Sequence, residues 1–226
     1  MTKTVTDFQK MKEKGEKIVM VTAYDYAMGK AVAQSAVDLI LIGDSVGMAV
    51  LGYETTLDVD VAQMIHHSAA TRRGAPETFI VIDMPFMSYH NPEVAKENAA
   101  DLIVLGKASA VKLEGGTPSR IAAIEAIVDC EIPVCGHIGL TPQSVHRFGG
   151  YKVQGKSSDA HTELIRQALA IQEAGAFMLV LEGIPELLGK EISEQLRIPT
   201  IGIGAGRHTD GQGRVLPGML GFTAKP

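Results

Sequence analysis

The amino-acid sequence predicts an α/β fold, a (β/α)8 TIM barrel, on three observations. Seven short apolar runs recur along the chain, rich in Val and Ile, as strands covered on both faces require. Each run leads through a polar or glycine-rich turn, in most cases into a stretch with helical spacing, the order of parallel strands joined by crossover helices. The first run continues into "TAYDYAMGK", which is neither a GxGxxG nor a P-loop fingerprint, and this disfavours a doubly wound sheet.

The elements follow in order. The run "KIVMVTAYD" (17–25) precedes a helix at 27–36, and "LILIGDS" (39–45) precedes one at 60–73. "FIVIDMPF" (79–86) leads to a helix at 92–105, and "AVKLEGG" (110–116) to one at 118–129. "IPVCGHIGL" (132–140) is followed by a helix at 159–174, "FMLVLEGIP" (177–185) by one at 186–196, and "IPTIGIGAG" (198–206) is the seventh strand. Pro92, Pro118 and Pro185 stand at helix starts, where a missing N–H costs least. Leu164, Ala168 and Ile171 form one stripe, the face that packs on the sheet. After Gln212 the chain reads "DGQGRVLPGMLGFTAKP", where Gly213 and Pro217 suit a central strand poorly. The eighth strand and a C-terminal helix are therefore expected to be atypical or missing, leaving the edges of strands one and seven unpaired.

A chain of 226 residues with 46% hydrophobic content supplies the core of one such barrel, so residues 1–226 are read as a single domain. The net charge of −5 carries no footprint for nucleic acid. The polar opening "MTKTVTDFQKMKEKGEKI" and the lack of a long apolar span predict a cytoplasmic protein without a membrane partner. Cys130 and Cys135 are too few for a disulfide framework or a zinc site and fit a reducing compartment.

In a parallel barrel the carboxyl ends of all strands open onto one rim. Aligning the runs by their last apolar residue brings Asp25, Asp44, Ser45, Asp83, Lys112, Glu114, His137 and Glu182 to that rim. Acids at this density repel unless a cation is bound or a proton shared. The oxygen-rich set Asp44, Asp83 and Glu114 suits a hard divalent cation, Mg²⁺ above all. Asp25 reads as a capping carboxylate. Lys112 faces the same way as Glu114 and meets an anionic substrate, or else forms a structural pair with Glu114. Glu182, after four apolar residues, suits a base; a buried pair with an arginine would leave the same trace. His137 is either a helper in proton handling or a core histidine.

The stretches "GDSVGM", "RRGAP", "DMPFMSY", "VKLEGG", "PVCGHIGLTPQSV", "FGGYKVQGK", "LVLEGIP" and "IPTIGIGAG" together resemble the ketopantoate hydroxymethyltransferase family, in order, from about residue 3 to Gln212. The resemblance implies a (β/α)8 barrel that binds Mg²⁺ and assembles as a homodecamer. It implies transfer of a hydroxymethyl group from 5,10-methylenetetrahydrofolate to 3-methyl-2-oxobutanoate through a Mg-stabilised enolate, giving 2-dehydropantoate for pantothenate. Carried across by motif, Asp44, Asp83 and Glu114 are the metal ligands, Asp44, Ser45, Asp83 and Lys112 contact the keto acid, and Glu182 accepts the proton. The loop "FGGYKVQGK" is either a mobile cover or a rigid surface loop. The family's usual "DGQVLVxxD" is not met after Gln212. Two other functions compete: a Mg-dependent 2-oxo-acid lyase of the phosphoenolpyruvate mutase and isocitrate lyase kind, and a catalytically inactive barrel.

Overall fold

A computed structural model describes residues 2–222, so the end of "GFTAKP" lies outside the described chain. Eight parallel strands pair in sequence order and close on themselves. They are β1 (Ile18–Thr22), β2 (Leu39–Ile42), β3 (Phe79–Asp83), β4 (Ala110–Glu114), β5 (Val134–Gly139), β6 (Met178–Glu182), β7 (Thr200–Ile203) and β8 (Gly211–Arg214). The helices are α1 (Val5–Lys14), α2 (Tyr26–Ala33), α3 (Val61–Gly74), α4 (Pro92–Val104) and α5 (Pro118–Asp129). They continue with α6 (Val145–Phe148), α7 (Ser158–Glu173), α8 (Glu186–Gln195) and α9 (Leu216–Met219).

Local chemistry accounts for the helix starts. Asp25, Asp60, Asn91 and Ser157 each accept a backbone N–H of the helix they precede, and α4 and α5 open on proline. Asp25 is thus the capping carboxylate its position suggests, held to Met28 N–H at 2.7 Å. The continuous apolar runs arise because strand residues are buried on both faces. Ile18, Met20, Leu41, Val81, Cys135 and Val180 fill the barrel, while Val21, Ile40, Ile42, Ile80 and Leu113 pack outward on helices. On α7, Leu164, Ala168 and Ile171 are the buried stripe.

Helix α1 carries a function its polar sequence conceals. It lies across the amino-terminal end of the barrel, where Phe8 is fully buried with its ring centroid 5.1 Å from that of Phe79 and 6.5 Å from that of Phe177. Burying such a ring contributes about 1.5–3 kcal/mol and closes that end to water.

The eighth strand is atypical but present, so the expected open edges do not exist. Ile18–Val21 of β1 pair with Gly211–Arg214, and Ile201 and Gly202 of β7 pair with Gly211 and Gln212. The glycines are required by packing. A Cβ on Gly213 would come 2.7 Å from Met20 Cε and 2.9 Å from Ile203 Cγ1, and one on Gly211 would come 2.3 Å from Ile18 O. Neighbouring side chains already fill the interior there. Pro217 lies beyond the strand, buried in the first turn of α9, where it breaks no ladder.

Candidate active site

The rim at the carboxyl ends of the strands encloses a cavity of about 350 Å³, at the lower end of the range for small-molecule sites. Its floor is apolar, with Met20, Leu41 and Ile203, and its wall is charged, with Asp44, Asp83, Lys112, Glu114, His137 and Glu182. Every proposed site residue, Ser45 included, lines this one space.

Strand register explains the convergence. Asp83 pairs with Lys112 between β3 and β4, Glu114 with His137 between β4 and β5, and Gly139 with Glu182 between β5 and β6. Asp44 and Ser45 follow β2 through Gly43, where a Cβ would lie 2.5 Å from Ser45 Oγ. A side chain at 43 would therefore displace the Ser45 hydroxyl from its present place. Tyr24 from the end of β1 then hydrogen-bonds Ser45, O to O, at 2.8 Å.

Each of the three acids has one oxygen tethered by a hydrogen bond to the surrounding chain. Asp83 Oδ2 accepts the Asp44 N–H at 3.0 Å, Asp44 Oδ2 accepts the Gln143 amide at 2.8 Å, and Glu114 Oε2 accepts the Gln143 backbone N–H at 3.0 Å. Lys112 Nζ stands 3.0 Å from Asp83 Oδ1, yet off the axis of a hydrogen bond, so that buried oxygen lacks an aligned donor. Burial, then the charges of Asp83 and Glu114, raises the Asp44 carboxyl well above the usual range. Lys112 is buried too, but the three acids outweigh that cost and hold it charged.

His137 joins the acids to Glu182. Lys112 Nζ lies 3.0 Å from its Nδ1, a hydrogen bond only if Nδ1 carries a lone pair, which puts the ring proton on Nε2. Nε2 stands 3.3 Å from Glu182 Oε2, though not aligned for a hydrogen bond. With the acids uncompensated, burial and Lys112 oppose the imidazolium, but the Glu114 and Glu182 carboxylates beside the ring prevail and lift the pKa to about 9. The proton count on this ring therefore depends on how the acids are neutralised.

Three buried acids face one buried ammonium, and this excess of negative charge suits a divalent cation. Asp44 and Asp83 fit that role, since each keeps Oδ1 free of an aligned donor. Glu114 is turned to Gln143 and to His137, whose Nδ1 is 3.5 Å from Oε1. As the side chains stand, no group of three or more His, Cys, Asp and Glu among the described residues is arranged to hold a metal. The donor set is thus two carboxylates with Glu114 beside them. Tyr151, from the loop after α6, also reaches the cavity and directs its hydroxyl to Met48 Sδ at 3.5 Å.

Gln143 and Tyr89 are missed by a reading of strand ends, because both come from loops. Their traces in the sequence are the positions of Gln143 in "GHIGLTPQSV" and of Tyr89 at the end of "DMPFMSY".

The profile of a family described as ketopantoate hydroxymethyltransferase matches residues 2–226. The 3-methyl-2-oxobutanoate hydroxymethyltransferase of Syntrophotalea carbinolica is 53% identical over 224 residues, which is 99% of this chain and 84% of that one. That of Bacillus cereus is 53% identical over 221 residues, 97% of this chain and 79% of its own. Among solved structures, phosphoenolpyruvate phosphomutase from Streptomyces platensis superposes with a TM-score of 0.72 at 13% identity, covering 97% of this chain and 83% of that one. A 2,3-dimethylmalate lyase, a member of the phosphoenolpyruvate mutase and isocitrate lyase superfamily, gives 0.65 at 14% identity over 89% and 72%. At such identities the likeness is one of fold. Among the described residues no helix is long and apolar enough to cross a membrane.

Proposed function

Because this chain belongs to the ketopantoate hydroxymethyltransferase family, we propose that it transfers a hydroxymethyl group from 5,10-methylenetetrahydrofolate to 3-methyl-2-oxobutanoate, giving 2-dehydropantoate. The observation that carries this reading is one cavity where three buried acids surround an ammonium and a fourth carboxylate, Glu182, stands partly exposed beside them.

Asp44 and Asp83 would hold Mg²⁺ through their free oxygens, with Glu114 ligating directly or through water. The cation, when bound, supplies Lewis acidity toward the two adjacent oxygens of a 2-oxo acid. Lys112 neutralises the carboxylate as a point charge. Ser45, held by Tyr24, donates to an oxygen of the same substrate. The apolar floor of Met20, Leu41 and Ile203 receives the branched end of the keto acid.

Glu182 takes the proton from C3, with His137 Nε2 3.3 Å from its carboxylate. As one C–N bond of the bridging methylene breaks and its nitrogen takes up the proton held by Glu182, the electron pair left on C3 bonds to that carbon. Water then replaces the second nitrogen, leaving its hydroxyl on the carbon and its proton on the nitrogen, and tetrahydrofolate departs. Tyr151 and the loop over 148–156 cover the cavity during these steps. A cytoplasmic homodecamer is the assembly this family reading brings with it.

The test is to incubate the purified protein with Mg²⁺ and 3-methyl-2-oxobutanoate in deuterated water without folate and follow the C3 proton. Exchange supports the reading, and its complete absence refutes it. Glu182→Gln should still bind the keto acid yet lose exchange; retained exchange assigns the base elsewhere. Product that requires the folate donor then excludes a simple lyase.

A further inference from the structure

The residue that ties the rim together belongs to no strand. Gln143 sits in the short 3₁₀ turn Pro142–Ser144 and is buried. Its amide nitrogen donates to Asp44 Oδ2 at 2.8 Å and to Met84 O at 3.0 Å, and its amide oxygen accepts the Tyr89 hydroxyl at 2.5 Å. Its backbone N–H holds Glu114 Oε2 at 3.0 Å.

These partners fix which way the amide points. A carboxylate oxygen and a peptide carbonyl both only accept, so both amide hydrogens are used on them. Turning the amide over would set its oxygen against Asp44 Oδ2 and Met84 O together, two buried lone-pair repulsions. Tyr89 selects the observed orientation by donating to the oxygen. That phenol is itself held in place: the Arg120 guanidinium lies 4.7 Å from the ring centroid, and Arg120 Nη1 donates to Tyr89 O at 3.3 Å. A chain of contacts therefore runs from Arg120 through Tyr89 and Gln143 to one chosen oxygen of Asp44. The other oxygen, Oδ1, is left without a hydrogen-bond donor on a residue that lines the cavity.

We propose that Gln143 is a positioning residue that presents Asp44 Oδ1 to the divalent cation, and that Tyr89 fixes the amide of Gln143 for this task. This rests on the proposed cation at Asp44 and Asp83. Without the amide, Asp44 is free to rotate about its terminal torsion and to turn either oxygen toward Lys112. The Glu114 tether survives any side-chain change at 143 because it comes from the backbone, so substitution there reports on the amide's hold on Asp44 and on Met84 O.

The experiment is titration of the full chain with Mn²⁺ followed by electron paramagnetic resonance, without substrate. Gln143→Met, similar in length, should weaken Mn²⁺ binding about tenfold or more, the usual effect of losing a partner that orients a ligand. Tyr89→Phe should weaken it less, and adding Tyr89→Phe to Gln143→Met should change nothing further. In proton exchange, the Mg²⁺ concentration for half-maximal rate should rise while the rate at saturating Mg²⁺ is largely recovered. Lost packing alone would not give that split. Should Gln143→Met fail to fold, Tyr89→Phe, which removes a single hydroxyl, still decides. Unchanged Mn²⁺ affinity in both single variants, with Asp83→Ala impaired, overturns the role of Gln143 alone. Asp83→Ala with full affinity overturns the cation site instead.

Discussion

Replacing Lys112 by methionine separates charge from packing in the core of the site. The ammonium is 3% exposed and 3.0 Å from Asp83 Oδ1, and it faces two further buried acids, Asp44 and Glu114. At an effective dielectric of about 20 an opposite charge at that distance contributes roughly 5 kcal/mol. Relief of the lysine's own desolvation offsets part of this. Breaking buried pairs by removing one partner costs about 3–5 kcal/mol, and we expect Lys112→Met to fall in that range in EDTA at neutral pH.

The sign of the pH dependence follows from Asp44. Its folded pKa lies well above 3.8, so its stabilising contribution is whole below that value and is lost as pH rises through the folded pKa. Lys112→Met removes a charge that favours the ionised acids. Its cost should therefore shrink as pH falls and Asp44 takes up a proton, and on adding Mg²⁺. Urea unfolding at fixed protein concentration, in EDTA or Mg²⁺ at two pH values, measures this. An equal cost under all four conditions would mean lost packing, and the electrostatic account of the cluster would be wrong.

Two further outcomes are expected. Gly139 has φ +96° and a Cβ there would lie 2.2 Å from Glu182 O, so Gly139→Ala should strain the β5–β6 junction and move Glu182. Proton exchange should drop about a hundredfold, as small misplacements of a base do, and a wild-type rate would show that Glu182 tolerates the shift. His137 in metal-free protein should titrate near pH 9, so its stabilising contribution is full below 6.5 and lost as pH rises through about 9. Mg²⁺ should move that titration downward by compensating the acids; an NMR titration indifferent to Mg²⁺ would place the cation away from this cluster.

Much of the barrel is legible in the sequence because a strand buried on both faces cannot avoid an apolar run. β2 is Leu39, Ile40, Leu41 and Ile42, with alternate side chains in different cores. β8 escapes that logic. Its Gly211 and Gly213 face an interior already filled by Ile18, Met20, Ile201 and Ile203, so the best residues there are those that look least like a strand. α1 hides its purpose in a single aromatic residue, Phe8. The acids are visible because each ends a run, whereas Gln143 acts through hydrogen bonds to Tyr89 and Asp44, 54 and 99 positions away. No local pattern records such pairings. The family resemblance locates the chemistry, but the orientation of each carboxylate emerges only from the packed rim.

In the proposed site Asp44 and Asp83 together grip one divalent cation bearing a 2-oxo acid. Crystals grown with Mn²⁺ and 3-methyl-2-oxobutanoate, with data collected for anomalous scattering from manganese, test it directly. We expect one manganese peak about 2.1 Å from an oxygen of each of Asp44 and Asp83, with the keto acid completing its shell. A keto acid bound in the cavity with no manganese between those two carboxylates would contradict the account.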